Sequence, residues 1–283
     1  MRSSFKIDFN KLRQDNLKEL FRILEEVLHS FGADYYVIGA VARDSWFTKE
    51  DVSSRTTKDV DIAVFLSDQS QYQKIKDTLV SKYGFVESKT NAYALHTPFS
   101  YPIDLMPFGA LEIDDSVKVE GQGLTVINVN GFQEVFRHGI IPVKADEDFE
   151  FQVATLPALV LLKLIAYDDR PEHRVRDIQD VAQILTSYFD IESDLIYDQH
   201  SDLFSREDLD LVDYSAITIG REIGLIVTEN KSLKERILNI LHLSDQKNRH
   251  IPEIMAGFEE IGLTIERSTT LLNEILQGIN EVN

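Results

Sequence analysis

The 283-residue chain has no cysteine, a single tryptophan, and only 29 lysines and arginines against 48 aspartates and glutamates. The missing cysteine excludes disulfides, thiolate zinc sites and cysteine nucleophiles together, and it leans toward a reducing cytoplasm. The shortage of basic residues leaves a net charge of −19. Tight, non-specific nucleic-acid binding draws on a basic footprint that displaces counterions, so this balance argues against it while leaving room for a local basic groove. Long apolar runs are also lacking. The longest, Ala158 to Ala166, is interrupted by Lys163 and is too short to span a bilayer. Charges recur every few residues over positions 1–20, which leaves no apolar core for a secretory signal. The histidines show no metal-ligand spacing, and neither a Gly-x-Ser-x-Gly elbow nor a Walker A loop is present. These absences leave a soluble, cytoplasmic protein without a membrane partner as the expectation.

With 43% hydrophobic and 27% charged residues, the chain can build an ordinary globular core. Apolar positions from Leu17 to Phe31 follow helical spacing, predicting a helix within 11–31. Strands are expected at Tyr35–Ile38, Val60–Leu66, Ala92–His96, Ile103–Phe108 and Leu124–Val129, with a helix over Tyr72–Tyr83 closed by Gly84. From about Leu156 the pattern turns helical, at 156–168, 174–189, 214–229, 231–243 and 252–278. The expected architecture is therefore an α/β (α+β) domain with a mixed sheet over 1–154, followed by a helical domain over 155–283. Between Asp190 and Asp213 lie nine acids and one base, Arg206, which reads first as a solvated acidic loop and helix face.

The sharpest local feature is Lys58-Asp59-Val60-Asp61-Ile62-Ala63-Val64-Phe65-Leu66. On a strand, alternate residues share a face, so Val60, Ile62, Val64 and Leu66 point to a core while Asp59 and Asp61 project together. Two neighbouring carboxylates repel each other, and a divalent cation compensates that repulsion; Mg²⁺ favours a few carboxylates plus substrate phosphates. Asp104, between Ile103 and Leu105, suits a strand beside the first. Three acids on adjacent strands can hold two metals, which activate an attacking oxygen and stabilise a leaving pyrophosphate. Upstream, Val37-Ile38-Gly39-Ala40-Val41-Ala42-Arg43-Asp44 runs a strand into small residues and a helix start, where backbone N–H groups can receive phosphate. Arg43, Arg55, Thr57 and Lys58 add cations and a hydroxyl, with solvated loop positions as the plain alternative.

A strand, Gly39-Ala40, a helix, then Asp59-x-Asp61 and a later Asp104 resemble the signature of polymerase-β-like nucleotidyltransferases. More narrowly, Gly39-Ala40-Val41-Ala42-Arg43-Asp44, Arg55-Thr56-Thr57-Lys58-Asp59-Val60-Asp61 and Ile103-Asp104-Leu105-Met106-Pro107-Phe108-Gly109 resemble AbiEii-type proteins, nucleotidyltransferase-like toxins and relatives often paired with an antitoxin. The similarity covers about residues 30–190. One departure is Ala40, which stands where the superfamily has Gly or Ser and so removes a hydroxyl while keeping the backbone amide. The resemblance implies an NTP substrate, Mg²⁺ or Mn²⁺ held by Asp59, Asp61 and Asp104, and phosphate contacts from Gly39, Ala40, Arg43, Arg55, Thr57 and Lys58.

In the helical half, Lys163 sits in an otherwise apolar helix, where an unpaired ammonium is costly. It either snorkels to solvent or reaches a polar site. The resemblance implies a phosphate contact, which makes the helical domain part of the nucleotide site. Asp177 and Asp180 share a helical face. Pairing with Arg170 and Arg176 is the plain reading, and the family pattern has Asp177 or Asp180 positioning Lys163 or assisting the acceptor. The expected activity is transfer of NMP from an NTP to a hydroxyl of an RNA 3′ end such as tRNA, a protein or a small molecule. A catalytically inactive nucleotidyltransferase fold kept for binding or assembly is the alternative; a phosphohydrolase is disfavoured by the absence of histidine ligand spacing.

Overall fold

Alternation of apolar residues along Val60–Leu66 buries Val60, Ile62, Val64 and Leu66, and this strand anchors the centre of a mixed sheet. The computed structural model describes residues 4–7, 9–12, 16–50, 52, 59–146 and 149–282. In chain order the first unit contains β1 (Phe5–Lys6), α1 (Leu17–Ser30), β2 (Asp34–Ile38), α2 (Gly39–Phe47), β3 (Val60–Leu66), α3 (Gln69–Tyr83), β4 (Val86–Glu87), β5 (Ala94–His96) and β6 (Pro102–Gly109). There follow β7 (Ser116–Lys118), β8 (Val126–Asn128), α4 (Phe132–His138), whose last two residues group with the second unit, β9 (Ile140–Asp146) and β10 (Phe149–Ala154).

Eight strands form one sheet in the order β1-β9-β10-β2-β3-β6-β5-β4, while β7 and β8 make a separate hairpin. The sheet is mixed: β2 runs antiparallel to β3, and β3 runs parallel to β6. Strands β9 and β10 were not anticipated, although β10 lies beside β2 near the middle of the sheet. Helix α1 buries the expected stripe but starts at Leu17, behind Asn16 in a left-handed conformation. Helix α3 starts at Gln69, ahead of the apolar pattern, because the Asp68 side chain accepts from the Gln71 amide at 2.9 Å and caps it.

The second unit comprises Arg137–Gly139 and the described residues from Thr155 onward. It holds α5 (Leu156–Asp169), α6 (Val175–Gln199), α7 (Leu211–Ile226), α8 (Lys231–Leu241), α9 (Ile251–Ala256) and α10 (Ile265–Glu281). Thr155 caps α5 by accepting from the Ala158 amide at 3.3 Å, and Pro157 follows in the first turn. Helix α6 continues past its expected end at 189, bending where Glu192 leaves helical geometry. The single helix expected over 252–278 is two, α9 and α10, separated by a turn through Gly257 and Gly262.

Candidate functional site

The parallel pairing of β3 with β6 sets Asp61 directly opposite Asp104. Register partners project from the same face, and adjacent strands lie about 4.8 Å apart, so two carboxylates share one patch of the sheet. Both side chains are partly exposed, while their chain neighbours Val60, Ile62, Ile103 and Leu105 are buried. The flanking apolar residues thus fix which way the acids point. Tyr72 on α3 donates its hydroxyl to the Leu105 carbonyl at 3.0 Å, anchoring β6 next to Asp104. Burial pushes the Tyr72 phenol well above its ordinary range, with the Asp104 charge adding to the effect, so it remains a donor.

On the other side of β3, Ile38 pairs with Asp61, and the chain turns at Gly39 into α2. Gly39 has φ +67°, and a Cβ placed on it would lie 1.9 Å from Asp61 Oδ2. Only glycine leaves room for the carboxylate there and tolerates that backbone conformation. Ala40 is buried in the first turn of α2. The far end of α2 is held by Trp46, whose Nε1 donates to the Ala154 carbonyl of β10 at 2.9 Å.

The remaining expected residues are placed less uniformly. Asp59 is exposed and lies one residue before β3. Arg43 is fully buried, with Nε and Nη2 donating to Asp44 Oδ1 at 2.9 and 2.7 Å and its guanidinium 5.6 Å from the Phe47 ring centroid. Arg55, Thr57 and Lys58 lie outside the described residues. Among the described residues, no group of three or more His, Cys, Asp or Glu is gathered to hold a metal ion. The structure therefore brings Asp61 and Asp104 together and leaves Asp59 at the strand's approach. Two adjacent carboxylates with a glycine cradle still fit Mg²⁺, which is bound through one or two carboxylates plus water and phosphate.

Within the helical unit, Lys163 is 7% exposed and does not snorkel. Its Nζ donates to Asp180 Oδ2 at 2.7 Å and to Asp177 Oδ1 at 2.9 Å. Burial alone would push the ammonium down, but the two carboxylates outweigh it and hold Lys163 above its ordinary range. Arg174, rather than Arg170 or Arg176, comes within 3.5 Å of Asp177. What the sequence did not disclose is that both acids grip the lysine at once. Their three-residue spacing on a helix was the available signal.

A family model described as "Nucleotidyl transferase AbiEii toxin, Type IV TA system" matches residues 22–253. No curated protein matches the chain. Among solved structures, the antibiotic-resistance factor ANT(2'')-Ia is similar at 10% identity, over 90% of this chain and 94% of that one, with a TM-score of 0.33. The Thermotoga maritima CCA-adding enzyme complexed with tRNA is similar at 11% identity, over 96% and 83%, with a TM-score of 0.34.

Proposed function

We propose, for a chain that belongs to the AbiEii nucleotidyltransferase toxin family, that it moves a nucleoside monophosphate from an NTP to an acceptor hydroxyl in a Mg²⁺- or Mn²⁺-dependent reaction. The observation that carries this reading is the in-register pair of Asp61 and Asp104 beside the Gly39 cradle. Asp61 and Asp104, with Asp59 at the approach to the strand, are the residues that would hold divalent metal. Bound there, the metal supplies Lewis acidity to the attacking and leaving oxygens. The backbone amides of Gly39 and Ala40 open α2 and receive phosphate oxygens, a role that does not need the hydroxyl Ala40 lacks. Arg43 acts differently from a surface cation: buried against Asp44, it stiffens α2 behind those amides.

Lys163 offers three N–H donors, of which Asp177 and Asp180 take two. In this reading the third donates to a phosphate or acceptor oxygen, and the carboxylate pair holds the ammonium charged and oriented for it. Asp177 and Asp180 are thus positioning residues for Lys163. The acceptor is an RNA 3′ end, a protein side chain or a small-molecule hydroxyl, and the family description brings an antitoxin as the proposed partner. No helix among the described residues is long and apolar enough to cross a membrane.

One observation favours a second reading, a nucleotide-binding module without transfer: among the described residues, the three strand acids are not gathered into a single metal-holding group. The two readings separate on incubating the protein with each labelled NTP, Mg²⁺, and total RNA or protein extract. Label transfer that Asp61→Ala abolishes supports the enzyme. Calorimetric NTP binding without transfer, unchanged by Asp61→Ala, supports the module.

A further inference from the structure

Outside the site, a group of exposed aromatic and apolar residues lies where α6 ends and α7 begins. Tyr197 is 56% exposed, Phe204 37% and Leu211 51%. The aromatic residues form one connected group. Tyr197 stacks on Phe204 with centroids 4.9 Å apart at 15°, Phe204 meets the Tyr214 edge at 4.9 Å, and Phe189 meets Tyr197 at 5.9 Å. Large aromatic side chains left in water and already packed on one another carry little further ordering cost on binding, and such patches mark interaction sites.

Acids predominate around this group, and the nearby arginines are already paired, Arg221 with Asp202 and Glu281 and Arg267 with Asp210 and Asp213. Asp190, Asp194 and Asp198 recur every fourth residue along α6 beside Phe189 and Tyr197, and Glu207 and Asp208 follow Phe204 in the next loop. All five are exposed. The only base in this stretch, Arg206, is already engaged, its Nη2 lying 3.0 Å from Glu281 Oε1. The cation–aromatic contacts found among the described residues all lie on other rings.

We propose that this aromatic face, rimmed by Asp190, Asp194, Asp198, Glu207 and Asp208, docks an arginine-rich segment of a partner protein. Guanidinium groups stack on aromatic faces while pairing with carboxylates, so one residue type satisfies both halves of the surface. A phosphate-bearing nucleic acid would gain from the rings but be repelled by the rim. A second copy of a chain with net charge −19 would meet the same repulsion.

The inference stands apart from the transfer reaction, and so does its test. A synthetic helical peptide with one arginine face and one leucine face is titrated into the full chain by calorimetry. Tyr197→Ala/Phe204→Ala, which leaves net charge unchanged, is expected to weaken binding about tenfold or more. Asp190→Asn/Asp194→Asn/Asp198→Asn should weaken it and flatten its salt dependence. Glu259→Gln/Glu260→Gln/Glu266→Gln, on exposed acids elsewhere, should leave it unchanged. Tyr197→Gln alone repeats the aromatic test should the double variant misfold, as judged by circular dichroism. Equal weakening by the control substitutions, or none by the aromatic ones, overturns the proposal. Tighter binding of single-stranded RNA than of the peptide, or self-association lost on Tyr197→Gln, overturns it equally.

Discussion

Replacing Gly39 with alanine sets two costs on one residue. A Cβ at this position meets Asp61 Oδ2 at 1.9 Å, Cγ at 2.8 Å and Cβ at 3.1 Å, so the carboxylate must swing away. The backbone stands at φ +67°, which costs a non-glycine residue about 1–2 kcal/mol. Displacing Asp61 from its rotamer adds about 0.5–1.5 kcal/mol. The sum is a loss of about 1.5–3.5 kcal/mol. Gly84 provides the control, because its φ is +72° and nothing lies within 4 Å of its added Cβ. Gly84→Ala should therefore show the backbone cost alone, and the difference between the two variants reports Asp61. Urea denaturation followed through Trp46 suits the measurement, since this single tryptophan is 1% exposed in α2, in the same unit. Calorimetric binding of Mg²⁺-NTP should be lost in Gly39→Ala and retained in Gly84→Ala. Equal destabilisation by the two variants, with nucleotide binding intact in both, would refute the placement of Asp61 against Gly39.

The remaining predictions concern the helical unit. Lys163→Met leaves the buried Asp180 and the part-buried Asp177 without the cation between them and should cost about 3–5 kcal/mol in chemical denaturation, much of it recovered by adding Asp177→Asn and Asp180→Asn. A single variant as stable as the triple one would show that the lysine does not neutralise the pair. Burial, with the Asp213 carboxylate beside it, pushes Glu274 up to about 8 from an ordinary value of 4.5, while Arg267 pulls the other way. A raised carboxyl lends stability that is complete below about 4.5 and lost as pH rises through about 8. Denaturation across that window should show a decline that Glu274→Gln flattens, with the variant more stable above it by about 1–2 kcal/mol. Gly278→Ala gains about 1 kcal/mol of helix propensity, yet its Cβ would lie 2.2 Å from the Ile217 carbonyl of α7. Net loss of stability by thermal denaturation is expected, and a net gain would mean that α7 and α10 separate easily.

Much of the candidate site's geometry was legible because it depends on period and spacing. Val60–Leu66 was read at its observed bounds, and its alternation already placed Asp61 away from the core. That Asp104 stands on a strand beside Asp61 was legible too, but the parallel register that sets the two opposite one another was not. The intimacy of Gly39 and Asp61 was not legible, because it arises from a left-handed backbone and an antiparallel register across β2 and β3. Strands β9 and β10 were missed for a different reason. Pro142, Lys144 and Asp146 interrupt the apolar alternation of β9, and β10 mixes Phe149 and Phe151 with Glu150 and Gln152 in a short run. The break between α9 and α10 was hidden by apolar residues that keep helical spacing on both sides of it. The grip of Lys163 by two acids was half legible: the spacing set both on one face of α6, but only the packing of α5 against it decided that they meet the lysine.

The place of β10 in the sheet has a consequence for synthesis. Of the described strands of this sheet it is the last in the chain, yet it lies between β9 and β2, with Val153 opposite Val37. As the polypeptide leaves the ribosome, β2, β3 and β6 emerge first, carrying Gly39, Asp61 and Asp104 on a sheet whose inner edge is still open. Closing that edge means joining segments far apart in sequence, a slow step for a mixed sheet. It also delivers the Ala154 carbonyl that Trp46 needs to hold α2. A chain arrested before β10 would carry Asp61 and Asp104 on β3 and β6 while lacking both the strand that pairs with β2 and the carbonyl that Trp46 meets.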